Sequence, residues 1–170
     1  MKPLIREAVY ISQDFGTATF VGAIAVMLHT DEQRQSQDLD FVVAEQITVD
    51  EFLDKGYKID QQRDKKFTPR GYKIDVYHER DLNDIPLDYI IKTAAAIPVD
   101  KKKGTTVNAI SLEGLIVAKF RAGRDQDIED LQRLAVRCGP KINWDEVRGL
   151  AKSDTEYSEI QQAIRLYLTR

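Results

Sequence analysis

The feature that most narrows the fold is a change of periodicity near residue 111. Before it, two-residue and helical apolar repeats interleave; after it, every apolar repeat is helical. Residues 4–15 set Leu4, Ala8 and Ile11 at helical spacing, and Gly16 stops that helix. Residues 17–21 are β-branched and aromatic, which predicts a short strand, and Gly22 turns the chain into a helix over 23–29. A polar loop spans 30–37, and residues 39–43 alternate as a strand. Thr48 and Glu51 form a capping box for a helix to about residue 55, closed by Gly56. Strands are predicted over 57–59, 66–68 and, more strongly, 71–77, then a helix over 86–94. The short stretches 97–99 and 105–110 suit pairing at a sheet edge. Helices alone follow, over 112–122, 128–137, 144–152 and 156–168. Mixed elements followed by helices imply an α+β fold, with a core over 1–110 and a C-terminal helical segment over 111–170 packed on it as one compact unit.

Composition excludes several functional classes. A chain of 170 residues, 42% hydrophobic and 31% charged, can bury a core without staples. The single cysteine, Cys138, rules out an internal disulfide and any cysteine-based zinc site. With only His29 and His78 besides, a bound metal would have to be held by carboxylates, which favours Mg²⁺ or Mn²⁺. The net charge of −3 offers no bulk attraction for DNA. The start of the chain is charged, and the longest apolar run, residues 20–28, is far short of the roughly 20 residues of a membrane span. A cytoplasmic protein with no membrane contact is the expectation.

The polar residues that break the strand rules carry the chemistry. In residues 38–43, Leu39, Phe41 and Val43 share one face, so Asp38 and Asp40 share the other. Two like charges on one strand face repel, and alone they read as a solvated edge. Asp75 interrupts a second good strand between Ile74 and Val76. Should the two strands be neighbours, three carboxylates converge on one surface and suit two divalent ions of the kind that clamp an in-line phosphoryl or nucleotidyl transfer. Taken singly, Asp75 would be an exposed residue balanced by Lys73. Upstream, Gly22-Ala23 opens a helix whose first amides form a potential phosphate site.

Two further anomalies lie in the helical segment. Lys119 falls on the stripe of Leu112, Leu115 and Ile116, and Asp127 shares a face with Leu131 and Leu134. A snorkelling lysine and an N-cap aspartate explain them as well as a site lining does. Charge is also segregated: residues 31–54 carry a net of −7 and residues 55–73 a net of +5, with Tyr57, Phe67 and Tyr72 among the bases. That basic, aromatic segment suits a phosphate-rich or single-stranded nucleic-acid ligand, or equally lysine-protected edge strands.

The motifs in order, Gly22-Ala23, Asp38-Leu39-Asp40, Asp75 in Lys73-Ile74-Asp75-Val76, and Lys119, Arg124, Asp127 and Asp130, resemble those of minimal nucleotidyltransferases. The branch is that of AbiEii-type toxin nucleotidyltransferases and related bacterial and archaeal proteins, whose intervening signature is matched by His29, Arg34, Ser36 and Asp38. The resemblance spans residues 17–137. It implies a mixed β-sheet flanked by helices, with Asp38, Asp40 and Asp75 as catalytic metal ligands for Mg²⁺ or Mn²⁺. Gly22 and Ala23 would hold triphosphate oxygens, Arg34 and Ser36 would help bind the nucleotide, and Lys119 and Asp127 would border the pocket.

The implied reaction moves a nucleoside monophosphate from an NTP to a hydroxyl, on RNA (tRNA ends in toxins of the branch) or on protein. A cognate antitoxin is an implied partner. Ala23 stands where active members often carry Ser, and the loop from His29 to Arg34 is one residue longer than usual. A fold that has lost catalysis and serves as a nucleic-acid or protein-binding module is the alternative.

Overall fold

The structure, a computed structural model, describes residues 1–168. Its frame is one seven-stranded mixed sheet in the order β3-β4-β5-β2-β1-β7-β6. The strands are β1 (Thr19–Phe20), β2 (Asp38–Val42), β3 (Lys58–Asp60), β4 (Lys65–Phe67), β5 (Lys73–Tyr77), β6 (Ala95–Asp100) and β7 (Thr105–Ala109). β2 pairs parallel with β5 and antiparallel with β1, which in turn pairs parallel with β7. Antiparallel pairs extend both ends, β5-β4-β3 on one side and β7-β6 on the other. The predicted pairing of the two short strands at a sheet edge is therefore present.

The helices are α1 (Pro3–Asp14), α2 (Gly22–Thr30), α3 (Val49–Asp54), α4 (Leu87–Lys92), α5 (Leu112–Ala122), α6 (Asp125–Cys138), α7 (Trp144–Leu150) and α8 (Asp154–Leu168). The expected α+β architecture, with its helices-only C-terminal segment, is what the chain adopts. The last two residues of that segment lie outside the described residues. The capping box forms: Thr48 accepts from the Glu51 amide, and Glu51 accepts from the Thr48 amide at 2.7 Å. Several elements differ from expectation by one to three residues at an end, β5, α4, β6, α7 and α8 among them, and for two the cause is local. β1 keeps only two paired residues, because the Ala18 amide folds back on the Phe15 carbonyl at 2.9 Å. α6 begins at Asp125 rather than 128, since Gly123 ends α5 at φ 62° and Arg124 returns to extended backbone.

The buried faces follow the alternation. Leu39, Phe41 and Ile74 are buried, and Phe20 packs on Phe41 with ring centroids 5.6 Å apart. Phe15, Phe52 and Tyr57 form a second aromatic group at 5.2–5.5 Å, joining α1, α3 and the start of β3. Each such burial stabilises by about 1.5–3 kcal/mol. α2 is apolar nearly all round, with Ala23 to Leu28 buried, so it runs through the interior rather than over it. Helices α5 and α6 pack against it and against each other, and α8 covers α6. Arg121 ties α5 to α8 through a bidentate pair with Glu156, at 2.8 and 3.0 Å.

Among the described residues, no helix is long and apolar enough to cross a membrane.

Candidate active site

The parallel register of β2 on β5 sets Asp38 opposite Lys73 and Asp40 opposite Asp75. Adjacent residues in paired strands share a face. Asp38, Asp40 and Asp75 therefore converge, each offering a carboxylate oxygen within 4.8 Å of the others. All three are partly exposed, so the cluster opens to solvent.

Their electrostatics are unfavourable in the bare protein. Burial, then the charges of Asp38 and Asp75, push the Asp40 carboxyl up to about 6. Lys73 supplies partial relief. Its ammonium lies 2.6 Å from Asp75 and 3.2 Å from Asp38, and the hydrogen bond to Asp75 chiefly raises its own pKa. The neighbouring Tyr77 phenol is pushed up to about 12, first by burial and then by Asp40 and Asp75. One ammonium against three carboxylates leaves a net negative cluster of hard oxygen donors. That donor set fits a divalent cation such as Mg²⁺ or Mn²⁺.

Gly22 meets this cluster directly. The Val21 amide donates to the Asp40 carbonyl at 3.0 Å, and the chain then turns into α2 with Gly22 at φ 57°. A β-carbon at Gly22 would sit 2.7 Å from Asp40 Oδ2, so only glycine admits both the turn and the carboxylate. The first amides of α2 have no carbonyl one turn back to bind, and they open beside Asp40.

The opposite wall comes from the helical segment. Lys119 does not snorkel: its side chain is 7% exposed, and Nζ lies 2.7 Å from Asp127 and 2.8 Å from Asp130. The Asp130 Oδ2 contact is ionic rather than a directed hydrogen bond. Asp127 does not cap α6, whose N-cap is Arg124. Burial works to raise the Asp127 pKa, but hydrogen bonds from Arg124 and Lys119 outweigh it and hold the carboxyl below its usual range. Arg34 reaches from the loop before β2 to Asp130 at 2.6 Å, and Ser36 donates to the Asp38 carbonyl at 2.9 Å. The result is a chain of alternating charge, Arg34–Asp130–Lys119–Asp127–Arg124, carrying one more positive charge than negative.

Of the residues singled out in the sequence, Gly22, Ala23, Arg34, Ser36, Asp38, Asp40, Asp75, Lys119, Arg124 and Asp127 line one cleft of about 290 Å³, while Asp130 stands behind it, paired with Arg34 and Lys119. A wider cleft of about 710 Å³ adjoins it and shares Arg34, Ser36, Asp38 and Gln126. His29 stands apart: its Nε2 meets the Ile110 carbonyl at 2.8 Å, and burial lowers its pKa. Sequence reasoning gave Lys73 no site role and missed Tyr77, Asn83 and Gln126. Lys73 and Tyr77 flank Asp75 at two-residue spacing, a signal that was available. Asn83 lies in an irregular segment, where no periodicity marks it.

Similar proteins share this architecture. A crystal structure of a candidate nucleotidyltransferase from H. pylori aligns with a TM-score of 0.54 at 17% identity, covering 98% of this chain and 92% of that one. The crystal structure of JHP933 from Helicobacter pylori aligns with a TM-score of 0.55 at 18% identity, covering 98% and 89%. At such identities the likeness concerns the fold. A search of curated proteins gives no match. The model of one family, described as nucleotidyltransferase of unknown function (DUF6036), matches residues 5–167, and this chain belongs to that family.

Proposed function

We propose that the protein is a metal-dependent enzyme that moves a nucleoside monophosphate from an NTP to a hydroxyl and releases pyrophosphate. The observation that carries this reading is the convergence of Asp38, Asp40 and Asp75 at the glycine turn that opens α2. Two Mg²⁺ or Mn²⁺ ions held by these carboxylates would neutralise charge on the attacking and leaving oxygens.

The chain's own groups do the rest. The first amides of α2, at Gly22 and Ala23, bind triphosphate oxygens. Arg124, with its side chain 74% exposed, and Arg34 add positive charge at the cleft. Lys119 and Asp127 hold the wall in register. As the acceptor oxygen bonds to the α-phosphorus and the bond to the β-phosphate oxygen breaks, Asp75 takes the hydroxyl proton. Ala23 offers only its amide where Ser would add a hydroxyl. The acceptor hydroxyl belongs to RNA, tRNA included, or to protein. Membership of the AbiEii-type branch and a toxin role, with a cognate antitoxin protein as partner, complete the reading.

The test is label transfer from each α-labelled NTP, with Mg²⁺ or Mn²⁺, to total RNA and cell protein. Label that requires intact Asp38 and Asp40 supports the reading and names the acceptor. Normal transfer by Asp40→Ala would sink it. Growth arrest on expression, absent in Asp40→Ala, tests the toxin role.

A second reading draws on Lys73, whose ammonium already bridges Asp38 and Asp75. In that reading the lysine replaces metal permanently, and the cleft is a binding module without catalysis. Folded protein that transfers no label and binds no Mn²⁺ would favour it.

A further inference from the structure

The basic segment that follows the acidic one is not spread evenly over the surface. Register across four adjacent strands places Asp38, Lys73, Phe67 and Lys58 in one row on the face that carries the carboxylates. Lys65, two residues before Phe67, shares that face. Ile59 and Lys66 point to the other side.

Of the seven bases in residues 55–73, five are engaged. Arg63 pairs with Asp60, Lys66 with Asp64, Arg70 with Glu7, and Lys73 with the triad, while Lys55 lies over the Phe15 ring. Lys58 and Lys65 are exposed and, among the described residues, hold no carboxylate or ring. Both stand on the triad's face. Asp60, across from Lys65, turns its Oδ1 into its own turn, accepting from the Gln62 and Arg63 amides at 3.1 and 3.2 Å. Between the two free lysines lies Phe67, half-buried yet outside the hydrophobic core that Ile59 packs against.

We propose that this face of β5, β4 and β3 docks a single strand of nucleic acid, with a base stacked on Phe67 and backbone phosphates on Lys58 and Lys65, so that its terminal hydroxyl reaches the triad. The row spans three interstrand spacings, about 14 Å, enough for the last few nucleotides of a strand. An aromatic platform between unpaired cations is what sequence-tolerant single-strand binding uses. Lysines that only guard the edge strand β3 would leave Phe67 without a role. The inference rests on reading the triad as the reaction centre.

The test is fluorescence anisotropy with a labelled single-stranded RNA of about a dozen nucleotides, and the DNA of the same sequence, in EDTA without NTP. The wild-type chain binds. Lys58→Ala/Lys65→Ala weakens binding about tenfold and reduces the salt slope by about 1.4 between roughly 50 and 200 mM salt. Phe67→Ala costs about tenfold with the slope unchanged, and Phe67→Trp restores it. Lys101→Ala/Lys102→Ala, in the β6–β7 turn at the far end of the sheet, leaves binding unchanged. Thermal melts confirm that each variant folds. Equal losses in the β6–β7 control overturn the proposal. So does a wild-type chain that ignores both strands while labelling a protein acceptor. Intact binding without label transfer defeats the catalytic reading alone, because the binding assay contains neither metal nor NTP.

Discussion

Asp40 and Lys73 set the electrostatic balance of the cleft, and their effects on stability run in opposite directions. The folded pKa of Asp40, about 6, lies above its ordinary 3.8. Its contribution to stability is therefore fully present below pH 3.8 and is lost as pH rises through 6. Asp40→Asn should stabilise the metal-free protein near pH 7.5 by about 1–2 kcal/mol, once solvent screening of a partly exposed group is allowed for. The gain should vanish near pH 4, and saturating Mn²⁺ should reverse it by stabilising the wild type alone; thermal melts against pH and metal read all three. Lys73→Met should lower the melting temperature without metal, since Asp38 and Asp75 lose their cation. The same variant should bind Mn²⁺ several-fold more tightly by calorimetry, because no ammonium need be displaced. Weaker Mn²⁺ binding would show that Lys73 orients the carboxylates rather than competing with the ion.

At the scale of elements, two junctions hold the walls. Gly22→Ala forces a β-carbon against Asp40 Oδ2 at a positive φ, so either the start of α2 or the carboxylate must move. The expected outcome is a loss of about 1–2 kcal/mol in stability together with weakened Mn²⁺ binding; a loss of stability alone would show that the turn yields and the carboxylate stays. On the other wall, Lys119→Met leaves Asp127 and Asp130 buried with only the arginines as partners, and should cost about 3–5 kcal/mol by urea denaturation. Adding Asp127→Leu to Lys119→Met should restore part of that loss, because a buried carboxylate goes with its cation. Sequence periodicity marked Lys119 and Asp127 as misplaced on apolar stripes. It left snorkelling and capping open, because the turn between α5 and α6 decides whether the two side chains meet.

For the whole molecule, the sheet order gathers segments far apart in sequence. Arg34 and Asp130 are 96 residues apart, yet their contact joins the loop before β2 to α6. A ligand bound across the cleft should therefore stabilise the fold as a whole. Saturating Mn²⁺ should raise the melting temperature of the wild type and not of Asp38→Ala/Asp40→Ala, since only the folded chain assembles the three oxygens. An equal shift in both proteins would place the ion elsewhere.

Much of this was legible in the residues. Alternation in Leu39, Phe41 and Val43 fixed which side of β2 is buried and left Asp38 and Asp40 on the other. The capping box set the start of α3, and the loss of strand periodicity after residue 110 set the order of the architecture. These are local properties, decided by a two-residue or 3.6-residue repeat and by backbone amides seeking partners. Strand partners are not local. That β5 lies parallel to β2 with Asp75 against Asp40, and that Lys73 reaches Asp38 as well as Asp75, depend on register between segments joined by a long connection. Only this pairing carries the row of Lys58 and Phe67, set by the short β3-β4-β5 hairpins, on to the carboxylates. The chain spells out which side chains share a face of each element; only tertiary packing, by choosing which faces meet, turns three separate aspartates into one site.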